Sequence, residues 1–182
     1  MKTNDPPLPP PLEDVVLEDV PVWEAELLHI YISPGHDYWG KQGEGRLQHG
    51  IQQVNQVECV AGRGLRGDRY CERRIGHKGQ VTFFDAQVVE DIRSHFRLAK
   101  LPASVFRRNL IVRGARLQDW LGRRFLFQGI VFEGVQECQP CHWMDRVVAA
   151  GAEEFLASEF RGGLRAKVLT PGILRVSEEL PG

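Results

Sequence analysis

The sequence predicts a mostly β protein made of many short strands and a few helices. Short apolar runs with strand-like alternation recur along the chain, and they are separated by glycine-containing turns such as Gly122 and Gln128-Gly129. Short strands joined by tight glycine turns are typical of a small barrel or a folded sheet. A chain of 182 residues is long enough for one sizeable core, so we expect one main domain.

The elements can be assigned in order along the chain. Residues 1–24 are rich in proline and acidic side chains, which predicts an extended arm, and the main domain is expected to span residues 25–182. Asp85 is placed to cap a helix over residues 86–97, and helical spacing also marks residues 142–160. Strands are expected at residues 25–32, 54–60, 79–84, 110–112, 117–121, 123–127, 130–135, 164–169 and 173–176.

Composition argues against several classes of protein. With 42% apolar and 26% charged residues, the chain is typical of a globular protein, and its formal net charge of -1 argues against a dedicated nucleic-acid binder. No apolar stretch approaches the roughly 18 residues that a membrane-spanning helix needs, and the N-terminus lacks the hydrophobic region of a signal peptide. We therefore expect a cytoplasmic protein with no membrane partner, whose four cysteines stay reduced.

Two of the cysteines form a C-x-x-C motif, Cys138-Gln139-Pro140-Cys141, between a strand and a helix-like segment. Backbone N–H groups and the helix dipole at such a junction favour the thiolate, which is the form that acts as a nucleophile or metal ligand. Four interpretations of Cys141 are open: a reactive thiol, a metal ligand, a redox partner of Cys138, or an ordinary buried cysteine. Cys59 and Cys71 are poorly spaced for a second pair of zinc ligands.

Two segments carry concentrated positive charge. Residues 61–78 contain six Lys or Arg against two acids, with several glycines, and residues 97–124 contain eight against one. Glycines that let the backbone approach a ligand, beside guanidiniums that hold a phosphate with two hydrogen bonds, describe an anion site, although a solvated basic loop has the same composition. A Gly-rich loop expected at residues 36–50 carries His36 and His49, which we interpret as solvated surface residues.

Four pieces of sequence occur in a recognisable order. They are Gly-Leu-Arg-Gly-Asp-Arg at 64–69, Phe-Arg-Arg-Asn at 106–109 followed by Gly114, the C-x-x-C motif, and Arg-Gly-Gly-Leu-Arg-Ala-Lys-Val-Leu at 161–169 with Pro-Gly-Ile at 171–173. The ordered set resembles the MOSC domain, the molybdenum cofactor sulfurase C-terminal family, over residues 25–176. The resemblance implies a MOSC-type β-barrel, mainly antiparallel, with helices packed outside.

The resemblance also implies a molybdenum cofactor (molybdopterin) and a set of site residues. Cys141 matches the cysteine that ligates molybdenum in reductases of the family or is proposed to carry a persulfide, and thiolate is a soft ligand suited to that metal. Cys138 matches a less regular position and is expected to be a supporting thiol. The implied cofactor-binding residues are Arg69, His77, Lys78, Arg107 and Asn109, with His77 and Lys78 standing where some members have His-Gly-Gly.

The function that the resemblance implies is the reduction of N-hydroxylated small molecules at molybdenum held by Cys141. No flavin, haem or iron–sulfur motif occurs in the sequence, so a reductase would need a separate electron-donor protein. The alternative is a sulfur carrier or binding module for metal–sulfur cofactor assembly, with a persulfide on Cys141 and no turnover of its own. A dithiol redox protein and a non-catalytic barrel without the cofactor are also open.

Overall fold

The computed structural model describes residues 20–37, 47–71, 77–114 and 116–177. Residues 1–19 of the expected arm, the larger part of the expected Gly-rich loop (38–46) and the basic residues Arg73 and Arg74 lie outside these described residues.

Strands account for most of the regular structure in the described residues. The strands are β1 (Glu26–Ile32), β2 (Gln52–Val54), β3 (Gln56–Val60), β4 (Gly64–Leu65), β5 (Val81–Asp85), β6 (Leu110–Arg113), β7 (Arg124–Phe127), β8 (Ile130–Glu137), β9 (Leu164–Val168) and β10 (Gly172–Arg175). The helices are α1 (Ala86–His95), α2 (Trp143–Val147) and α3 (Ala152–Ala157), and 3₁₀ turns occur at Ala103–Phe106 and Leu117–Trp120. The expectation of a mostly β protein with few helices is confirmed.

The strands form two sheets. Seven strands pair in the order β2-β1-β6-β5-β9-β8-β7, and three pair in the order β10-β3-β4. Each of these pairings is antiparallel except β5 with β6, which α1 connects as a parallel crossover. The mainly antiparallel arrangement is therefore confirmed.

The expected closed barrel is not found in the described part of the chain. Closure would require the two edge strands of the larger sheet, β2 and β7, to pair with each other. Instead β2 is only three residues long and pairs with β1, while the free side of β7 is covered by residues 21–23. The expectation of a barrel is corrected to two sheets that share one core.

Residues 21–23 run along the outer edge of β7. The backbone N–H of Trp23 donates to the carbonyl oxygen of Leu126 at 3.2 Å, and the N–H of Leu126 donates to the carbonyl oxygen of Pro21 at 2.9 Å. The Trp23 ring also meets the Trp120 ring edge-on, with centroids 5.4 Å apart. The last residues of the expected arm are therefore bonded to the sheet.

The two sheets meet in one apolar core. It combines Val57, Leu65 and Leu174 of the smaller sheet with residues of the larger sheet such as Phe83 and Phe132. The Phe83 ring makes edge-to-face contacts with Trp120, Phe125, Phe127 and Phe132, an arrangement that aromatic quadrupoles favour.

The opposite face of the larger sheet is covered by the helices. There Phe84, Ile92, Phe106, Met144 and Leu156 form a second apolar cluster. Neighbouring residues of β5 thus enter opposite clusters, as expected for a strand buried on both faces.

Helix α1 begins as predicted. The Asp85 carboxylate accepts a hydrogen bond from the Gln87 N–H at 2.9 Å, which satisfies one of the donors left open at a helix start. The helix ends at His95, two residues before the expected end, and Arg97 adopts a left-handed backbone with a φ of 56°.

The strand expected at residues 117–121 is wrong. Leu117–Trp120 forms a 3₁₀ turn in which Leu117 and Trp120, three residues apart, both point into the core. Trp120 stacks on Phe125 with ring centroids 4.3 Å apart. A spacing of three buries both side chains on one side of a turn, whereas alternation along a strand would place them on opposite faces.

Candidate functional site

A pocket of about 220 Å³ opens on the helix-covered side of the larger sheet. It lies where the end of β8, the starts of β5 and β9, and the turn after β4 come together. Its lining comprises His36, Arg69, Tyr70, Gly79, Thr82, Phe106, Arg107, Arg108, Cys138, Gln139, Cys141, Met144 and Arg165. Four of these side chains are guanidiniums and none is a carboxylate, so the wall of the pocket is positively charged.

The C-x-x-C motif brings two unlike thiols to this pocket. Cys141 is exposed, whereas Cys138 is buried and its backbone N–H donates to the carbonyl oxygen of Gly163 at 2.7 Å. The carbonyl oxygen of Cys141 accepts from the Met144 N–H at 2.8 Å, so Cys141 immediately precedes the first turn of α2. From the sequence we expected a helix dipole to favour the thiolate form of Cys141. Because α2 has only five residues, its dipole is small and contributes little to this effect.

A glycine in the turn leading to β9 allows close packing against the C-x-x-C motif. A Cβ added at Gly162 would lie 1.9 Å from the carbonyl oxygen of Cys138, so only glycine fits against the motif there. On the far side, Arg165 packs across Gly79, whose added Cβ would lie 3.3 Å from the Arg165 Cδ. Arg165 is also opposite Thr82 in the β5–β9 ladder, which places both side chains on the pocket face.

Arg69 enters the pocket from the turn after β4. Its side chain is only 8% exposed, and its Nε is buried without a hydrogen-bond partner in the described residues. Its Nη1 lies 3.7 Å from the Asp68 carboxylate, and its Cζ lies 4.6 Å from the centre of the Tyr70 ring. Arg69 therefore makes a weak ion pair with Asp68 and a cation–π contact with Tyr70, and its Nε–H is a donor that could bind a ligand.

Asp68 fixes the turn that carries Arg69. Its carboxylate accepts hydrogen bonds from the N–H of Ser33 at 3.1 Å, from the N–H of Tyr70 at 3.2 Å and from the Asn109 amide at 3.2 Å. Burial raises the pKa of the Asp68 carboxyl, and the Arg69 charge and these hydrogen bonds act in the opposite direction. The turn is thus held by a buried acid whose donors come from three separate segments.

Arg107 lines the pocket, but its terminal nitrogens are bonded to the protein. Nη1 donates to the Asp37 carboxylate at 2.8 Å, and Nη2 donates to the Gly35 carbonyl oxygen at 2.9 Å and to Ser33 Oγ at 3.1 Å. Its backbone is left-handed, with a φ of 54°. Arg107 therefore ties residues 33–37 to the pocket wall, and donation to a ligand would require one of these bonds to break.

Asn109 lies behind the pocket lining. Its Oδ1 accepts from the N–H and the hydroxyl of Thr82 at 3.1 and 2.9 Å, and its Nδ2 donates to the Tyr31 carbonyl oxygen at 3.1 Å and to Asp68. Each polar atom of this buried amide has a partner. Its visible contribution is to hold β1, β5 and the Asp68 turn in register.

His77 and Lys78 stand apart from the pocket lining. The His77 ring stacks on Tyr70 with centroids 5.8 Å apart, and its Nδ1 accepts from the Gly79 N–H at 3.1 Å, whereas Lys78 is exposed. Within the described residues, His77 contacts the pocket lining through Tyr70 and Gly79.

Sequence reasoning missed three residues of the pocket. His36, interpreted as solvated surface, is partly buried and lines it. Arg108 and Arg165 belong to the sequence motifs at 106–109 and 161–169, but neither was among the expected cofactor-binding residues. The alternation of β9 carried a signal for Arg165, because its neighbours Leu164 and Ala166 are buried in the core and it therefore faces the other way.

A larger cleft of about 420 Å³ lies beside the start of α1. Its three arginines, Arg93, Arg113 and Arg116, are each paired with an acid (Glu90, Glu26 and Asp119), and it contains no thiol. Among the described residues, no group of three or more His, Cys, Asp or Glu side chains is placed to hold a metal ion, and no helix is long and apolar enough to cross a membrane. The basic pocket with its exposed thiol is therefore the stronger candidate site.

The fold and the pocket define a class of protein: a mainly antiparallel β protein that presents one exposed thiol in a pocket walled by arginines. The family model of the MOSC domain matches residues 71–180, more than half of the chain, and the chain belongs to this family. The match includes Cys141, Arg107, Arg108 and Arg165.

Solved structures show the same fold. The crystal structure of APC1665, YUAD protein from Bacillus subtilis, has a TM-score of 0.62 and 15% sequence identity, over 84% of this chain and 91% of that chain. YiiM from Geobacillus stearothermophilus has a TM-score of 0.58 and 16% identity, over 84% and 71%, and YiiM from Escherichia coli 0.55 and 16%, over 85% and 71%. A comparison with curated proteins finds no match.

Proposed function

We propose that the pocket binds a molybdenum cofactor, with Cys141 as the protein ligand of the metal. The observation that carries this proposal is the exposed Cys141 thiol in a pocket whose wall contains four arginines and no carboxylate. MOSC domains are associated with this cofactor in general, and the chain belongs to that family.

The residues present fit the chemistry of a pterin cofactor that bears a phosphate. Buried Nε atoms of Arg69 and Arg165 have no hydrogen-bond partner in the described residues, and Arg108 and Arg165 have no carboxylate partner there. Guanidiniums form charge-assisted hydrogen bonds with phosphate, so these groups would hold the anionic end of the cofactor. Cys141 supplies the soft sulfur ligand that molybdenum favours.

When bound, molybdenum would supply two-electron chemistry coupled to the transfer of an oxygen atom. The chain itself fixes the backbone that carries the sulfur, because the Cys138 N–H donates to Gly163 and the Cys141 carbonyl oxygen accepts from Met144. Arg107, tied to Asp37, keeps the 33–37 segment against the pocket. Phe106 and Met144 form an apolar part of the lining.

Within this proposal, the chain is a cytoplasmic reductase of small N-hydroxylated molecules. The N–O bond is cleaved, two electrons and two protons are consumed, and water leaves. The electrons come from a separate donor protein, because the sequence carries no motif for a second redox group.

The proposal is tested by comparing the two cysteines of the motif. The full chain and the variants Cys141→Ala and Cys138→Ala are produced in a host supplied with molybdate, and molybdenum and pterin fluorescence are measured after purification. We expect Cys141→Ala to retain no molybdenum and to lose the reduction of N-hydroxylated compounds. In Cys138→Ala both molybdenum retention and activity should decrease without being lost. Circular dichroism checks that both variants fold. Equal molybdenum retention by Cys141→Ala and the parent would contradict the proposal.

The second candidate function is a persulfide carrier for metal–sulfur cofactor assembly. It is favoured by the exposure of Cys141 beside a buried Cys138, because a sulfur atom carried on Cys141 could be passed to an acceptor in solvent. The same preparations distinguish the two functions. Cyanide-releasable sulfur on Cys141 in protein that contains no molybdenum would favour the carrier.

A further inference from the structure

We propose that Cys141 is a site of reversible S-thiolation by small disulfides that bear carboxylate groups, and that the arginines of the pocket select these anionic reagents. The modification would regulate the site described above, so its biological consequence rests on the proposed function. The reaction itself requires only the thiol and the arginines.

The four thiols of the chain differ sharply in access to solvent. Cys141 is exposed, whereas Cys59, Cys71 and Cys138 are 0–1% exposed. Burial and the neighbouring Cys71 raise the pKa of the Cys59 thiol to about 12, which suppresses its reactive thiolate at neutral pH. A disulfide reagent in solvent therefore meets Cys141 first.

The pocket wall supplies the partner for an anionic reagent. Arg69 is more than nine-tenths buried, lines the pocket and keeps an Nε without a partner in the described residues. The Nε of Arg165 is also buried and has no hydrogen-bond partner in the described residues. A buried donor that lacks an acceptor loses the hydrogen bonds it makes in water, so a carboxylate placed there would restore them.

The net charge of the wall favours anions over cations. Asp37 compensates Arg107, and Asp68 lies near Arg69 at 3.7 Å. Arg108 and Arg165 have no carboxylate partner in the described part of the chain; Arg108 donates to the carbonyl oxygens of Gly162 and Phe106 instead. These charges raise the local concentration of anionic reagents beside Cys141 and repel cationic ones.

The reaction is a thiol–disulfide exchange in which the reagent is the oxidant. The Cys141 thiol loses its proton, and its sulfur attacks one sulfur of the reagent disulfide. The reagent S–S bond breaks, a new S–S bond to Cys141 forms, and the departing thiolate takes up the proton. One disulfide and one thiol are consumed and one disulfide and one thiol are produced, so an excess of the small thiol reverses the modification. A thiolated Cys141 has no thiolate to offer a metal.

The experiment compares three disulfides of similar length that differ in charge: dithiodipropionate (dianion), hydroxyethyl disulfide (neutral) and cystamine (dication). The full chain is reacted with each reagent, adducts are located by mass spectrometry, and each rate is divided by the rate with N-acetylcysteine amide, which cancels intrinsic reactivity. We expect one adduct, on Cys141. The normalised rate should be about tenfold or more higher for the dianion than for the dication at low salt, and the ratio should fall as salt is added.

Two variants locate the source of this preference. Arg165→Gln should reduce the ratio severalfold, because it removes a charge from the pocket wall. The matched control Arg175→Gln should leave the ratio unchanged, because Arg175 is an exposed residue of β10 outside the lining. If Arg165→Gln does not fold, the salt dependence of the parent chain still tests the inference. Equal normalised rates for the three reagents, or a first adduct on another cysteine, would overturn it.

The failures of the two proposals can be told apart. Protein that retains molybdenum through Cys141 but shows no charge preference refutes only the thiolation inference. Protein that shows the preference but never takes up molybdenum refutes only the cofactor proposal. Preparations from cells grown with and without molybdate provide both measurements.

Discussion

Arg107 makes the most consequential single-residue contact of the pocket region. It joins two segments 70 residues apart in sequence through an ion pair with Asp37, whose side chain is completely buried. A buried carboxylate that loses its guanidinium partner is strongly destabilising, because its charge stays out of water with less compensation. Arg107 was predicted to bind the cofactor, and that role stays a prediction; its bonds in the structure are to residues 33–37.

At the residue scale we predict that Arg107→Ala lowers the free energy of unfolding by about 3–5 kcal/mol. The control is Arg113→Ala, which removes the exposed ion pair between Arg113 and Glu26 and should cost only about 0–1 kcal/mol. Urea denaturation followed by circular dichroism measures both. Similar losses in the two variants would mean that the Asp37–Arg107 pair is not the anchor described here.

At the scale of elements, the parallel unit β5–α1–β6 connects the pocket with the larger cleft beside α1. Thr82 of β5 faces the pocket, and Asp85, three residues later, caps α1 beside the larger cleft. The cap was predictable because its signal is local: an Asp directly before an apolar stripe of helical period. Most strand positions followed from alternation in the same way. The exceptions are Leu117–Trp120, where buried residues three apart formed a 3₁₀ turn, the expected strand at 54–60, which is divided between β2 and β3 of different sheets, and Gly64–Leu65, where no strand was expected.

We predict that Asp85→Ala destabilises the protein by about 0.5–1 kcal/mol, in the lower part of the range for helix caps. Burial raises the pKa of the Asp85 carboxyl, which shows that part of the benefit of the ionised cap is lost to desolvation. The control Asp91→Ala, in the same helix, removes a hydrogen bond from Gln87 together with a like charge that acts on Asp85, and should cost no more than about 0.2–0.5 kcal/mol. Thermal unfolding measures both; a larger loss for Asp91→Ala would contradict the prediction.

At the scale of the whole molecule, the pocket is assembled by long-range contacts that local patterns do not encode. Arg108 reaches Gly162, 54 positions later, and Asn109 reaches Asp68, 41 positions earlier. The sequence therefore predicted that the site would combine a thiol with arginines, but it did not predict which arginines line the same pocket. His36 shows the limit most clearly, since nothing in its neighbourhood in the sequence indicated that it would line the same pocket as Cys141.

The core shared by both sheets contains the buried thiol of Cys59, and this thiol makes global stability sensitive to alkaline pH. The folded-state pKa of Cys59 is raised to about 12 from an ordinary 9.0, because burial disfavours the thiolate. Below pH 9 the thiol is protonated in both states. Above it, the unfolded chain loses the proton first, so the free energy of unfolding falls as pH rises towards the folded pKa.

We predict a contribution of up to about 1.4 kcal/mol per pH unit from this thiol between pH 9 and 12. In Cys59→Ala the decline of stability with pH should be shallower, although its stability at neutral pH is lower because the core has a cavity. Cys141→Ala, which removes an exposed thiol, should decline with pH as steeply as the parent. Urea midpoints between pH 8 and 11 check this, and parallel curves for Cys59→Ala and the parent would exclude it.

The bonds between residues 21–23 and β7 also bear on how the chain should be trimmed for study. A chain cut at residue 25, where composition first changes, would leave the N–H and carbonyl groups of Leu126 bare and would remove the Trp23 ring from Trp120. An uncovered sheet edge can recruit a strand from a neighbouring molecule. Self-association of such a shortened protein would then reflect the position of the cut rather than a native oligomer.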